Sequence, residues 1–594
     1  MSRLTTAQVA TAHALNHAYG RHIARLLFGA ALLCGSAGLR FAHAGNMVMD
    51  WNNEFLLITQ QTSGNLVAGP PDVAREIAQM GAAMSDAVNA ATGGNNSSFA
   101  YSGTMAGADA NVAAATAAYT TLSNMFTSPV WSTPIGVLNP ALAGNTSNTT
   151  LATNIIIPQL KAFLASELTS LGLSSPATVC ASANSALCNG YNLGIAAATA
   201  VNNSSTFSPT ASGAVAAITA GLTANAPAGS GTTPGVYVPP AARPEMFPTW
   251  GGTALTGITS TQMNAAKATV SGPPAITSAA YAAALLQTEC QGGSAALSTR
   301  PVSIQSACAT AGFTQETTAQ TKAALFWNDP GTTIQPPGHW LQIANAAMLS
   351  QGSSLLQSAQ LTALMGEAMN DAGILAWDEK YTNNLWRPVT AIRDCSNWSA
   401  GNFTTCDASW SSLIATPPHP DYIAGHPAFS GAAATVLERF FGTDNIAFTS
   451  TSNYYCNGAA SQFDPATNLL ASCTVGSGPS AIVYAVSNPS DCAVIVDGIN
   501  SNGSPLICPI SETFNSFSDA SQGPNGSEFS RVVGGIHTPF SVEDALAAGN
   551  FIGQALAQNA GLPELVPEPS SLGLCGIGLL SLTRLRRRRH AVTA

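Results

Sequence analysis

The chain has 594 residues, of which 46% are hydrophobic and only 8% are charged, whereas about a quarter of the residues of a typical globular domain are charged. Residues 1–44 and 570–594 hold 9 of the 20 basic residues and no acidic one, so the body between them has 11 basic and 30 acidic residues, a balance of −19. A body this acidic is repelled by nucleic acid, which excludes a nucleic-acid partner.

Residues 1–44 have the pattern of a signal peptide. An apolar stretch at 26–39 follows basic residues, and the small-x-small sequence Ala42-His43-Ala44 is typical of a cleavage site. We therefore expect export from the cytoplasm and a mature chain that begins near Gly45.

Residues 45–320 are predicted to form an N-terminal helical half. Apolar residues recur at helical spacing over 72–91, and the segments 111–126 and 158–171 have the same texture. The Pro- and Gly-rich segment 226–248 predicts a connection between helical halves.

Residues 321–560 are predicted to form a second helical half, which carries the chemistry. Helical texture covers 340–348, 358–370 and 373–385, whereas 443–527 is rich in Ser, Asn and Gly and predicts a long loop. Alternating strand patterns are rare. We therefore predict an all-α fold of two four-helix-bundle-like halves with a disulfide-stapled loop insertion.

The C-terminal segment 561–594 is predicted to be a sorting tail. Val566-Pro567-Glu568-Pro569 precedes an apolar stretch at 571–582 and the arginine cluster at 584–589, an order that resembles the PEP-CTERM tail of certain Gram-negative bacteria. This resemblance implies transient anchoring at the envelope membrane and a location in the periplasm, on the outer cell surface or in the extracellular matrix. A plain C-terminal anchor is the alternative.

Ten cysteines lie between the two terminal segments, and they fall in close pairs along the chain. The pairs are Cys180/Cys188, Cys290/Cys308, Cys395/Cys406, Cys456/Cys473 and Cys492/Cys508. Their spacing suits five local disulfides in an oxidising compartment, although the pairing rests on proximity in sequence alone.

Two segments of the second half combine features that favour an anion. Lys380 and Arg387 are seven residues apart, so on one helix both cations would point from the same face. Gly425-His426 opens a predicted helix that continues through Phe441, and main-chain N–H groups favour an anion at such a start.

A third segment carries Arg531 and His537, and a capping-box-like sequence at 541–544 then predicts a helix to about Asn559. Alone, a Lys/Arg pair is more often a solvated face and a histidine is more often structural. The three segments together, however, contain three of the 11 basic residues of the body. Their order and spacing therefore predict one oxyanion site.

The order Lys-x6-Arg-Pro, Gly-His and Ser-Arg-x5-His resembles the signature shared by vanadium-dependent haloperoxidases and type 2 phosphatidic acid phosphatases. The longer sequences at 326–329, 371–377 and 386–388 resemble the vanadium chloroperoxidase branch, and the resemblance covers roughly residues 321–560. It implies a helical enzyme that oxidises halide with hydrogen peroxide at a histidine-bound vanadate, whose place phosphate can take. The signature is specific for the superfamily and much less specific for the reaction.

The resemblance also implies a role for each residue of these motifs. His537 would be the vanadium ligand, and His426 would act as acid and base at the apical oxygen. The groups that would hydrogen-bond the vanadate oxygens are Lys380, Arg387, Arg531 and the Gly425 main-chain N–H, with His426 beside them. The residues that would surround them are Asp329, which would pair with Arg531, and Trp386 and His419.

Two positions bear on the reaction. Where the family often has Pro-Ser-Gly-His, this chain has Ala424 before Gly425, so one hydroxyl donor to the oxyanion is lost, a change of roughly 1–3 kcal/mol. His419 resembles the bromoperoxidases in a neighbourhood that helps to set halide preference. The alternative for His419 is a structural role in a proline-rich turn.

Two other functions stay open. A soluble acid phosphatase could use the same site, with His537 as nucleophile and His426 protonating the leaving oxygen. A non-catalytic extracellular matrix protein could keep the fold alone. The expected partners are hydrogen peroxide and halide, or a phosphate ester, and a homodimer is left open.

Overall fold

The computed structural model describes residues 46–564 except 95, 174–178, 181–184, 224–232, 240–243, 332, 399–402, 404, 457–461, 464–469, 476–481, 486–492 and 495–505. The signal peptide and residues 565–594 of the sorting tail lie outside this part, so both stay predictions. The described residues from Met47 onward form one compact unit. The predicted boundary at residue 320 is not tested by this division.

The described chain is mostly helical, which confirms the predicted fold class. Its α-helices are α1 (Met47–Thr62), α2 (Pro70–Ala91), α3 (Ala110–Phe126), α4 (Pro129–Ser132), α5 (Ile135–Leu138), α6 (Ser147–Leu151), α7 (Ile157–Ser170), α8 (Ser185–Asn203), α9 (Ala214–Thr223), α10 (Ser260–Lys267), α11 (Ala279–Gln291), α12 (Val302–Thr310), α13 (Thr318–Phe326), α14 (Gln335–Ser350), α15 (Leu355–Asn383), α16 (Pro388–Arg393), α17 (Gly425–Phe441), α18 (Phe517–Gln522), α19 (Ser527–Val533) and α20 (Pro539–Asn559). Short 3₁₀ turns lie at Pro140–Leu142, Trp250–Gly252, Leu297–Thr299 and Cys395–Asn397, and a π turn lies at Ala152–Ile156.

The long helix α15 packs tightly against α2 and also contacts α17 and α20. It begins with a capping box between Ser354 and Gln357 and runs for 29 residues, so the two segments predicted at 358–370 and 373–385 are one helix. A Cβ added at Gly366 would lie 2.4 Å from the Ala78 main-chain nitrogen. Glycine is therefore required where the two helix backbones touch.

Helices α17 and α20 pack against α15 and against each other. A Cβ at Gly549 would lie 2.3 Å from the Ala428 carbonyl oxygen. The structure confirms the helix predicted from Gly425 through Phe441. Helix α20 begins at Pro539 and not at the predicted capping box, because Thr538 precedes a proline that suits the first helical position.

The segment predicted as a long loop contains β-strands, so that prediction was wrong over these residues. The strands are β1 (Phe448–Cys456), β2 (Gln462–Phe463), β3 (Leu470–Val475), β4 (Ile482–Ala485), β5 (Ala493–Val494) and β6 (Leu506–Phe514). β1 pairs antiparallel with β6, and β5 flanks β6, while β2, β3 and β4 form a second antiparallel sheet. Ser450 and Ser452 occupy the buried face of β1, so the sequence lacks the apolar alternation that would have indicated a strand.

Three of the five predicted disulfides are present: Cys180–Cys188, Cys290–Cys308 and Cys395–Cys406. The predicted pairs Cys456/Cys473 and Cys492/Cys508 involve side chains outside the described residues. Within the part of the chain that is described, no helix has the length and apolar character needed to cross a bilayer.

Candidate active site

Lys380 and Arg387 do not lie on one helix as predicted, and both bind the loop that precedes α17. Helix α15 ends at Asn383, and Asn384 is left-handed with φ 47°. Arg387 precedes Pro388 in an extended conformation as the N-cap of α16, because a residue before proline avoids the helical region. The two cations therefore reach the same loop from either side of a helix end, and helical periodicity does not bring them together.

The loop that precedes α17 holds both cations through its carbonyl groups. The Lys380 ammonium donates to the carbonyl oxygens of Pro420 and Asp421, both at 3.0 Å. The Arg387 Nε donates to the His419 carbonyl at 2.7 Å, and another guanidinium nitrogen lies 2.9 Å from His419 Nδ1. Burial, followed by the charge of Arg387, holds the pKa of Lys380 well below its usual range.

Asp421 fixes the orientation of the predicted ligand His537. His537 Nδ1 lies 2.5 Å from one Asp421 carboxylate oxygen, and the Thr538 hydroxyl donates to the other at 3.1 Å. Burial raises the pKa of Asp421 to about 6, against the opposing effects of Arg387 and Lys380, so the carboxyl group is ionised at neutral pH. An ionised carboxylate only accepts hydrogen bonds, so Nδ1 carries the imidazole proton and Nε2 is left as an acceptor.

The Nε2 atom of His537 faces the cations. Arg387 donates to it at 3.0 Å, a contact that an oxyanion bound at Nε2 would replace. Burial and then Arg387, Lys380, Arg531 and His419 hold the pKa of His537 well below its usual range. The imidazole is therefore neutral, as a ligand or a nucleophile must be.

His426 and Arg531 are joined by one carbonyl group. Arg531 donates to the Trp327 carbonyl oxygen, and His426 bonds the same main-chain group. His426 Nε2 is buried with no hydrogen-bond partner, so Nδ1 makes this bond. Burial, then Arg531, His339 and Lys380, hold the pKa of His426 well below its usual range. The charges of Arg531 and Lys380 lower the pKa of both His426 and His537. The structure therefore brings the five predicted side chains into one region.

The remaining predicted residues surround this region. Trp386 donates from its indole nitrogen to the Tyr281 hydroxyl at 2.7 Å, which ties the site to the N-terminal half. The His419 ring lies 5.2 Å from that of Trp377. A Cβ at Gly425 would lie 3.2 Å from Trp377, so glycine keeps the start of α17 close to this ring.

Asp329 makes a contact that the sequence did not suggest. Its carboxylate lies 3.2 Å from His339 Nδ1 and 3.9 Å from His426 Nε2. The expected pairing of Asp329 with Arg531 stays a prediction. Sequence reasoning missed His339 and Asp421, since neither belongs to the recognised motifs. The only sequence signal for His339 was the scarcity of histidine, because the chain has 9 histidines.

This arrangement fits a tetrahedral oxyanion such as vanadate or phosphate. Three buried cations outnumber the two nearby carboxylates, and burial together with these cations depresses the pKa of both histidines. The lone buried nitrogen of His426 lies at the start of a 17-residue helix, where main-chain N–H groups attract an anion. The residues expected to hold vanadate are Lys380, Arg387, Arg531, His537 and the Gly425 N–H.

Two comparisons with known proteins match part of this chain. The family model of the VCPO second helical-bundle domain matches residues 360–561. Over 143 residues the chain is 31% identical to the vanadium chloroperoxidase of Curvularia inaequalis, a match that covers 20% of this chain and 23% of that protein. The matched part is therefore less than a quarter of the curated relative.

Similarity to solved structures extends further along the chain. A structure described as the first bacterial vanadium-dependent iodoperoxidase aligns with 88% of this chain and 96% of its own, with a TM-score of 0.55 and 19% identity. An apo bacterial vanadium-dependent chloroperoxidase aligns with 83% of this chain and 94% of its own, with a TM-score of 0.49 and 16% identity. The iodoperoxidase match shows a common fold. Residues 360–561 of this chain thus match the model of the VCPO second helical-bundle domain, and the similarity in fold extends over most of the chain.

Proposed function

We propose that this chain is an exported vanadium-dependent haloperoxidase that oxidises halide with hydrogen peroxide. The observation that carries the proposal is the state of His537. Its Nδ1 is bound to Asp421, its Nε2 accepts a hydrogen bond from Arg387, and the charges of Arg387, Lys380 and Arg531 act on the ring. A neutral imidazole oriented through its second nitrogen is the usual form of a histidine that binds a metal centre.

The side chains of this site would divide the work between binding and proton transfer. Bound vanadate would supply the Lewis acid that activates hydrogen peroxide towards halide. Lys380, Arg387 and Arg531 would neutralise the charge of the oxyanion. His426 Nε2 has no partner, so it is free to accept a proton and to return it at the reacting oxygen. An anion bound nearby would raise the proton affinity of His426, which burial and the neighbouring cations lower.

The halide would approach beside Trp377 and His419. These two rings lie 5.2 Å apart, and the His419 Nδ1 is bound by Arg387. Burial and then Lys380 and Arg387 hold the pKa of His419 well below its usual range, so this imidazole is neutral. We propose a bromoperoxidase-like preference, which a comparison of chloride, bromide and iodide turnover would test.

The deciding experiment compares two reactions in one preparation. The full chain is incubated with orthovanadate, and bromide-dependent halogenation with hydrogen peroxide is assayed beside hydrolysis of p-nitrophenyl phosphate. The proposal predicts halogenation that requires vanadate and is lost in Arg387→Ala. Arg439→Ala is the matched control, because Arg439 is a buried arginine that binds the carbonyl groups of Leu562 and Pro563 at the far end of α17.

A phosphatase is the second candidate, and the pairing of Asp421 with His537 favours it. This pairing would activate a histidine nucleophile as well as orient a vanadium ligand. Ala424 caps α17 without a side-chain hydrogen bond, so a hydroxyl donor from this position is missing for phosphate and for vanadate alike. Phosphate ester hydrolysis that vanadate inhibits, without halogenation, would establish this candidate. Absence of both reactions would leave a non-catalytic matrix protein.

Export is a separate proposal. The three disulfides support it, since such bonds persist in oxidising compartments. N-terminal sequencing of the protein recovered from the cell envelope should start near Gly45. Loss of residues 566–594 from the mature protein would support a PEP-CTERM tail, whereas its retention would favour a plain anchor.

A further inference from the structure

His339 is a buried histidine beside the proposed acid–base group. It lies on α14, is fully excluded from solvent, and has the rings of Phe326 and Trp327 at 4.7 Å each. Both of its ring nitrogens have partners. Nδ1 lies 3.2 and 3.3 Å from the two carboxylate oxygens of Asp329, and Nε2 lies 3.0 Å from the Ser450 hydroxyl of β1.

The hydrogen bonds around Ser450 determine which nitrogen of His339 carries a proton. The Thr451 main-chain N–H donates to Gln342 Oε1 at 3.0 Å, so that atom must be the amide oxygen. The Ser450 hydroxyl lies 2.6 Å from the same oxygen and must donate its single hydrogen to it. Ser450 can therefore only accept from His339, and Nε2 carries a hydrogen.

This assignment leaves one proton to be placed between His339 and Asp329. A neutral imidazole protonated at Nε2 would point the Nδ1 lone pair at a carboxylate, and neither group could donate. The contact is satisfied if Nδ1 is protonated as well, or if the Asp329 carboxyl group is protonated. In both cases the pair holds one proton more than a neutral histidine and an ionised carboxylate.

We propose that the Asp329–His339 pair stores the proton that His426 uses. Asp329 is the link, because its second oxygen lies 3.9 Å from the unpartnered Nε2 of His426. In the transfer, the bond that holds the stored proton breaks and an N–H bond forms at His426 Nε2. Asp329 remains as a carboxylate, and the new N–H of His426 replaces His339 Nδ1 as its donor. The role in catalysis rests on the proposed function, whereas the stored proton does not.

The stored proton can be observed without any reaction. The full chain is labelled with ¹⁵N-histidine and recorded free of vanadate and phosphate, with the His339 signals assigned by their loss in His339→Phe. We expect two protonated ring nitrogens on His339, or a protonated Asp329 carboxyl band in the infrared spectrum that disappears in Asp329→Asn. A neutral His339 beside an ionised Asp329 would overturn the proposal.

Ser450→Ala separates the hydrogen-bond argument from general effects of mutation. Without the acceptor at Ser450, His339 can move its proton from Nε2 to Nδ1 and donate to Asp329, so no extra proton is needed. We expect one protonated nitrogen in Ser450→Ala. The matched control is Thr451→Ala, the next residue of β1, whose hydroxyl binds Ser511 on the exposed face; its His339 signals should match those of the parent protein. Unchanged signals in Ser450→Ala would contradict the assignment.

The use of the proton is tested by proton uptake on binding of inorganic phosphate. Calorimetry in two buffers with different ionisation enthalpies gives the number of protons that the complex takes from solvent. The parent protein should take up about one proton fewer than His339→Phe or Ser450→Ala, because the pair supplies it internally. Equal uptake in the parent protein and both variants would refute the transfer to His426, even if halogenation is observed.

Discussion

Asp421→Asn should reveal how much the buried cations depend on one carboxylate. Asp421 is fully excluded from solvent, binds His537, and is close enough to Arg387 and Lys380 for each to lower its pKa. Removing one partner of a buried ion pair costs about 3–5 kcal/mol, and because asparagine keeps the hydrogen bond, we expect a loss of about 3 kcal/mol in the free energy of unfolding. The matched control is Asp378→Asn, since Asp378 pairs with Lys267 at 2.5 Å on the surface. An exposed pair contributes up to about 1 kcal/mol.

The assay is urea denaturation of the full chain with and without orthophosphate. Phosphate should stabilise Asp421→Asn more than it stabilises the parent protein, because the bound anion replaces the missing negative charge. Asp378→Asn should gain the same stability from phosphate as the parent protein. The reasoning is refuted if Asp421→Asn loses no more stability than Asp378→Asn, or if phosphate stabilises both variants equally.

Three further predictions concern the anion, the helix contact and pH. Ala424→Ser should raise vanadate affinity roughly tenfold by restoring a hydroxyl donor; unchanged affinity in equilibrium dialysis would mean that the alanine is no deficit. Gly366→Ala should lower the urea midpoint strongly, since its Cβ would lie 2.4 Å from a backbone nitrogen, while Gly252→Ala, with nothing within 4 Å, should not; similar midpoints would contradict the close helix contact. Because the pKa of His537 is lowered on folding, the unfolded chain binds its proton first, so stability falls as pH drops below about 6.5. His537→Gln should flatten this fall between pH 7 and pH 5 (about the range of histidine titration), and an unchanged slope would exclude His537 as its source.

The sequence predicted the helices of the site better than its geometry. Helix α17 has strong local signals, a glycine at its start and a left-handed Gly442 at its end, and its predicted bounds are confirmed. The prediction that Lys380 and Arg387 share one helical face was wrong. Helix α15 ends at Asn383, and the left-handed Asn384 follows it, so Arg387 lies beyond the helix. Spacing in sequence alone does not show where a helix ends.

The contacts made by single side chains could not be predicted. Asp421 looks like an ordinary residue of a proline-rich turn, and only the folded chain places it 2.5 Å from His537. Ser450 gives the buried face of β1 a polar character that hid the strand, yet it is the residue that fixes the proton on His339. The roles of Asp421 and Ser450 both depend on contacts between segments more than 100 residues apart.

Vanadate binding by His537→Ala tests the central claim most directly, that one oxyanion is held between His537 and three cations. Equilibrium dialysis of the full chain against orthovanadate would compare the parent protein, His537→Ala and the Arg439→Ala control. We predict that His537→Ala binds at least about 100-fold more weakly, while Arg439→Ala binds as the parent does. Equal affinity in His537→Ala and the parent protein would contradict the claim.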